Sequence, residues 1–127
     1  MPAMLATITA AVFAALALLH FYWAVRGVNG NSAAIPQIDG APAFKPSKAA
    51  TAAVGLVLLG TAAIVLLDVT LLVAGAAAVM ILRAIGDFRL VGFFKRVRCS
   101  RFARADTLIY SPLCLALGAA LALQAAG

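Results

Sequence analysis

The sequence contains no glutamate, and charged residues of every kind make up only 11% of its 127 residues. Hydrophobic residues make up 65% of the chain, which is more apolar surface than a soluble domain of this length can bury. We therefore expect a lipid bilayer to solvate most of the chain. Residues 1–127 would form a single transmembrane domain, because four spans of ~20 residues each consume most of that length.

Residues that carry metal and enzyme chemistry are also scarce. The chain has one histidine and four aspartates, without the paired-histidine spacing of a metal site. It has no phosphate loop, nucleophile elbow or dinucleotide fingerprint. The sequence therefore predicts no metal and no cofactor.

Four apolar runs predict four membrane-spanning helices, over about residues 4–25, 49–67, 70–88 and 105–124. The second run follows Pro46 and Ser47, and a serine there is a typical helix N-cap. Only a short segment around Asp68 separates the second and third runs, so we expect a tight hairpin in which Asp68 or Thr70 caps the returning helix. The predicted fold is an all-α integral membrane four-helix bundle.

Two longer connectors join the remaining helices. Residues 27–48 contain three prolines and the turn signal Asp39-Gly40, which predict a loop long enough to act as a lid or a docking surface. Residues 89–104 are basic and aromatic, as expected of a segment at the membrane interface. The residues predicted to bind anionic phospholipid headgroups are Lys95, Arg96, Arg98, Arg101 and Arg104.

The distribution of positive charge predicts an orientation. The net charge of +6 resides mainly in these two connectors, because nine of the ten basic residues lie in them or at their edges. A nucleic-acid-binding protein would expose a broad basic face, so we expect lipid headgroups and no nucleic acid as the partner. The positive-inside rule places both connectors in the cytoplasm and both termini outside.

Six residues with polar or aromatic side chains are predicted to lie near the cytoplasmic ends of the helices, with His20, Arg83 and Tyr110 in one layer and Asp87 and Asp106 about one turn shallower. They are His20, Trp23, Arg83, Asp87, Asp106 and Tyr110. An arginine inside a membrane costs ~2.5–3.5 kcal/mol, so Arg83 requires Asp87, Asp106 or an anionic ligand as its partner. Pro112 is expected to break the helix hydrogen bond to Leu108 beside this cluster.

Two interpretations of the six residues remain open. They form either an ion-pair network that locks the bundle or a cytoplasm-facing ligand pocket, in which Trp23 provides an aromatic wall one turn from His20. Glycines in the spans, Gly55, Gly60, Gly75 and Gly118, are expected to allow close approach of the helices.

Several motifs along the chain carry a resemblance to a known family. They are His20-Phe21-Tyr22-Trp23-Ala24, Ile35-Pro36, Phe44-Lys45-Pro46, Arg83-Ala84-Ile85-Gly86-Asp87-Phe88, Gly92-Phe93-Phe94-Lys95, Asp106-Thr107 and Tyr110-Ser111-Pro112-Leu113. With them the chain resembles the bacterial small four-span membrane proteins known as domain of unknown function 3995. The resemblance implies a four-helix fold in the bacterial inner membrane, and it assigns no activity.

Three functions compete at this point. The first is a module that binds or transports a small polar or amphipathic ligand in the pocket, with transport requiring a homodimer. The second is a structural or accessory subunit of a larger membrane complex. The third is a small membrane enzyme acting on a lipid or isoprenoid; the residue types permit this chemistry, but no spacing demands it.

Overall fold

The computed structural model describes residues 3–28 and 33–127, and these residues form an all-helical fold with one short β-hairpin. Residues 29–32, which belong to the predicted 27–48 loop, lie outside the described residues. The elements are α1 (Ala3–Arg26), β1 (Gln37–Ile38), β2 (Ala41–Pro42), α2 (Lys48–Leu67), α3 (Thr70–Ile85) and α4 (Arg101–Ala125). The two strands pair antiparallel, and the predicted turn residues Asp39 and Gly40 connect them with φ values of 52° and 80°.

The two ends of α2 show how local sequence sets the helix boundaries. Ser47 is the N-cap, as predicted, and its hydroxyl accepts the backbone N–H of Ala50 at 3.0 Å. The prediction that Asp68 or Thr70 caps α3 was wrong. Asp68 adopts the left-handed conformation (φ 53°) and closes α2, whereas Val69 precedes α3 without a side-chain cap. A left-handed residue ends the helix before it and cannot start the next one.

The helices pack mainly in two pairs, α1 with α2 and α3 with α4. Glycine allows the close approach in both pairs, because a Cβ at Gly55 would lie 2.7 Å from the Phe21 ring and one at Gly118 would lie 2.7 Å from the Ile81 side chain. The predicted close approach of helices does not occur at Gly60 and Gly75, where a Cβ would meet nothing within 4 Å.

The hydrophobic core lies in the half of the bundle nearest the α2–α3 turn. All four helices contribute to it; its buried members with the larger side chains are Phe13, Val65, Val73, Leu117 and Leu121. The two longer connectors, which follow α1 and α3, lie at the opposite end of the bundle.

Helix α4 changes its winding where Pro112 was expected to disturb it. Residues Asp106–Tyr110 form a π turn, in which the N–H of Ser111 donates to the carbonyl of Asp106 five residues earlier. Pro112 has no N–H to donate to the carbonyl of Leu108. The π turn contains one residue more than an α turn, and this accommodates the missing hydrogen bond. The helix begins at Arg101, four residues earlier than predicted.

Among the described residues, α1, α2 and α4 are long and apolar enough to cross a membrane. Helix α3 has 16 residues, about 24 Å at 1.5 Å per residue, and is shorter than the ~30 Å hydrocarbon core of a bilayer. It ends at Ile85, three residues before the predicted boundary, because Gly86 (φ 91°) leaves the helical conformation.

Candidate functional site

The carboxylate of Asp106 is the centre of a buried charge cluster. Its Oδ1 accepts a hydrogen bond from Arg83 Nη2 at 2.8 Å, and its Oδ2 accepts the backbone N–H of Gly92 at 2.7 Å. Lys95 Nζ lies 3.1 Å from the same Oδ2. The side chains of Asp106 and Lys95 are 0% exposed, and that of Arg83 is 31% exposed. The partner of Arg83, which the sequence left open, is therefore Asp106.

Lys95 was predicted to face lipid headgroups, and the structure places it elsewhere. Its ammonium also donates to the carbonyl of Gly92 at 3.0 Å and to the Thr107 hydroxyl. A lysine that is fully buried and bonded to three oxygens cannot reach a headgroup. The basic and aromatic residues around Lys95 are typical of an interfacial segment, so sequence reasoning missed its role in the cluster.

Two glycines shape the backbone that reaches Asp106. Gly86 and Gly92 have φ values of 91° and 87°, and a Cβ at Gly92 would lie 2.3 Å from the carbonyl oxygen of Ile85. No other residue fits this contact, which positions the Gly92 N–H for the carboxylate. In the sequence, the two glycines that flank residues 87–91 were the signal for this close backbone contact.

Asp87 bonds to the backbone of the basic connector, residues 89–104, and does not pair with Arg83. Its Oδ1 accepts the backbone N–H groups of Arg89, Leu90 and Val91 at 2.9, 2.8 and 3.2 Å. Slight burial opposes the charged form, but these three hydrogen bonds outweigh it and lower the pKa of the Asp87 carboxyl below its usual 3.8. Because Gly86 ends the helix, Asp87 does not share a helix face with Arg83.

Other residues of the basic connector bond to its own backbone. Arg96 Nε donates to the carbonyl of Phe88 at 3.0 Å, and Arg98 Nη2 donates to that of Phe93 at 2.8 Å. The side chains of Arg101 and Arg104, in the first turn of α4, are exposed.

Tyr110 connects α4 to the first connector. Its hydroxyl donates to the carbonyl of Ala33 at 2.7 Å, and its ring lies 5.7 Å from that of Phe102. This bond spans 77 residues of sequence. Tyr110 therefore holds the connector against the bundle.

His20 and Trp23 line a cavity between α1, α2 and the first connector. Its volume is about 430 Å³, and its lining residues are His20, Trp23, Val28, Ala34, Ile35, Phe44, Pro46, Ala50, Thr51 and Val54. The imidazole and indole rings meet edge to face at 5.2 Å. Arg83, Asp87, Asp106 and Tyr110 are not among the lining residues. The six candidates therefore divide three ways: His20 and Trp23 line the cavity, Arg83 and Asp106 form the charge cluster, and Asp87 and Tyr110 bond to the connectors. The sequence motifs that contain Ile35 and Phe44 give no indication of a contact with His20.

The hydrogen bond of His20 determines which ring nitrogen is free. Nδ1 lies 2.7 Å from the carbonyl oxygen of Leu16. A carbonyl only accepts, so Nδ1 carries the proton, and Nε2 of the neutral ring is an acceptor. Within the described residues, Nε2 has no hydrogen-bond partner.

These features define a small, apolar helical protein with a buried ion cluster and a separate, largely apolar cavity. Residues 13–121 match the family model described as Protein of unknown function (DUF3995), and the chain belongs to this family. Comparisons with curated proteins and with solved structures found no match.

Proposed function

We propose that the protein is embedded in a bilayer and binds the apolar body of a single-chain amphiphile in the cavity beside His20 and Trp23. The observation that carries the proposal is the cavity itself: seven of its ten lining residues are apolar residues of α2 and the connector. Its volume of about 430 Å³ lies within the range of about 300–1,000 Å³ that small-molecule sites occupy.

Membrane embedding is supported by three apolar helices of sufficient length and by large hydrophobic side chains exposed along them, such as Leu18, Leu66 and Leu123. The cavity and the basic connectors occupy the same end of the bundle. By the positive-inside rule that end faces the cytoplasm, where the exposed Arg101 and Arg104 would meet anionic headgroups. An amphiphile could therefore enter the cavity from the inner leaflet.

His20 indicates the chemistry of the polar end of the ligand. In the neutral ring Nε2, which has no partner among the described residues, accepts a hydrogen bond, so the ligand presents a donor, of which a hydroxyl is the simplest. Thr51 also lines the cavity, but its hydroxyl already donates to the carbonyl of Ser47 at 2.8 Å. The Thr51 oxygen can still accept a hydrogen bond. Specificity would thus rest on the acceptors of His20 and Thr51 and on the apolar shape of the cavity.

The test uses the only tryptophan of the chain, Trp23, as a reporter in the cavity wall. The protein is placed in phosphatidylcholine nanodiscs and titrated with a long-chain alcohol brominated in the middle of its chain. Bromine quenches indole fluorescence at contact distance, so we expect saturable quenching of Trp23. His20→Leu should weaken the apparent affinity by about 1–3 kcal/mol, because it removes the acceptor of a buried hydrogen bond.

A matched pair of substitutions on α2 serves as the control. Ala50→Phe fills the cavity, whereas Ala53→Phe makes the same change at an exposed neighbour outside the lining. Quenching should become non-saturable in Ala50→Phe and stay as in the wild type in Ala53→Phe. Equal quenching in all three proteins would show that the bromine reaches Trp23 from bulk lipid, and the proposal would fail.

A further inference from the structure

A second cavity lies at the opposite end of the bundle, where α2 turns into α3. Its volume is about 300 Å³, and its lining is half polar and half apolar. The lining residues are Ala3, Ala6, Thr7, Val65, Leu66, Asp68 and Gln124. It is separate from the His20 cavity and shares no residue with it.

The side-chain donors around this cavity already make hydrogen bonds within the protein. Gln124 is 7% exposed, and its Nε2 donates to the carbonyl of Val65 and to Asp68 Oδ1, both at 2.9 Å. The Thr7 hydroxyl donates to the carbonyl of Ala3 at 2.9 Å. A side-chain amide nitrogen carries two protons and a hydroxyl one, so none of these groups has a proton left to offer.

Two side-chain acceptors around this cavity are not used. Gln124 Oε1 is buried and has no hydrogen-bond partner among the described residues. The second carboxylate oxygen of Asp68 has none there either. A buried carbonyl without a partner is costly, at ~1–3 kcal/mol, and here it lies close to a negative charge. The side chains of this cavity offer only acceptors and one negative charge, and they therefore favour a ligand that is a donor and a cation.

We propose that this cavity binds a primary ammonium group, with Asp68 and Gln124 Oε1 as its acceptors. An ammonium presents three N–H donors in a compact cation. The apolar half of the lining, from Ala3, Ala6 and Leu66, would pack against the attached carbon atoms. A bare divalent cation fits poorly, because Ca²⁺ requires 6–8 oxygen ligands and no group of three or more metal-ligating side chains occurs in the described part of the chain.

Two molecules bring this chemistry to a membrane surface: a free alkylamine and the ethanolamine headgroup of a phospholipid. The experiment separates them. The protein is placed in phosphatidylcholine nanodiscs, and its thermal unfolding midpoint is measured with propylammonium, 1-propanol or propionate. In a second arm, phosphatidylethanolamine replaces part of the phosphatidylcholine, and retained lipid is counted by native mass spectrometry.

We expect a saturable rise in the midpoint with propylammonium, or selective retention of phosphatidylethanolamine, and neither effect with propanol or propionate. Asp68→Asn should weaken the response at least about tenfold. Asparagine tolerates the left-handed conformation, and its amide oxygen still accepts from Gln124, so this variant changes the charge and preserves the fold. Gln124→Leu, which removes the free acceptor, should weaken the response as well.

Asp39→Asn is the matched control, because Asp39 is also a left-handed aspartate (φ 52°) but lies in the β-hairpin at the other end of the molecule. A response in only the lipid arm identifies the ligand as the headgroup. Equal responses in the wild type and Asp68→Asn would overturn the proposal. So would the absence of any response to amine in both arms.

Discussion

The charge cluster around Asp106 predicts a large and asymmetric response to mutation. Arg83 and Lys95 contribute two positive charges and Asp106 one negative charge, so the cluster carries a net charge of +1. Asp106→Asn is nearly isosteric but raises this charge to +2 around a site where Asp106 and Lys95 are 0% exposed. Removing one partner of a buried ion pair costs about 3–5 kcal/mol, and we expect a loss of that size in the free energy of unfolding.

Lys95→Met should be the milder change, although it also removes a buried charge. The cluster becomes neutral, and Asp106 keeps Arg83 and the Gly92 N–H as donors. The main cost is the Gly92 carbonyl, which loses the lysine as its donor, at about 1–3 kcal/mol. The double variant should be less destabilised than the sum of the two single variants, because the lysine is harmful once the carboxylate is gone.

The assay is unfolding in mixed micelles at increasing fractions of a denaturing detergent, followed by far-ultraviolet circular dichroism. Asp39→Asn provides the matched control, since it is the same chemical change at an exposed aspartate. We expect that control to stay within ~0.5 kcal/mol of the wild type. If Asp106→Asn lowered the free energy of unfolding no more than Asp39→Asn does, or less than Lys95→Met does, the explanation from the net charge of the cluster would be refuted.

Three further predictions concern single features of the connectors and helices. In the same unfolding assay, Gly92→Ala should lower the free energy of unfolding by about 1–3 kcal/mol because of its left-handed backbone alone, and by more because of the clash with the Ile85 carbonyl. Gly75→Ala, in open surroundings, should raise the free energy of unfolding by up to about 1 kcal/mol. The lowered pKa of Asp87 means that its contribution to stability is present above pH ~4 and is lost as the pH falls through its folded-state pKa. Unfolding curves of the wild type and Asp87→Ala should therefore converge in acid, and a constant difference at every pH would contradict this cause. Tyr110→Phe removes one hydrogen bond to the first connector and should lower the free energy of opening that connector by about 1 kcal/mol. Hydrogen exchange over residues 33–46 should become roughly fivefold faster; unchanged exchange there would show that the hydroxyl does not hold the connector.

The helices were predictable from the sequence because apolar runs and breakers report directly on local structure. Ser47 and the Asp39-Gly40 turn behaved as their residue types require. The boundary errors at Ile85 and Arg101 have different origins. The segment after Ile85 is held by Asp87 and by the Gly86–Gly92 contact, and neither interaction follows from helical periodicity. The start at Arg101 is set by Ser100, whose hydroxyl accepts the backbone N–H of Ala103 at 2.9 Å.

The arrangement of the site was less predictable, because depth along a helix does not specify which faces meet. His20, Arg83 and Tyr110 lie at one end of the bundle, as their spacing indicated. However, α1 packs mainly with α2 and α3 with α4, which separates His20 from Arg83 and Asp106. The burial of Lys95 depends on a backbone turn stabilised by long-range contacts, so no local pattern could reveal it.

Native mass spectrometry of the protein extracted in mild detergent tests the proposed cavity most directly. The wild type and Ala53→Phe should each retain one single-chain amphiphile of discrete mass, and Ala50→Phe, which fills the cavity lined by His20 and Trp23, should retain none. Retention of the same bulk phospholipids by all three proteins, with no discrete one-to-one species, would contradict the account.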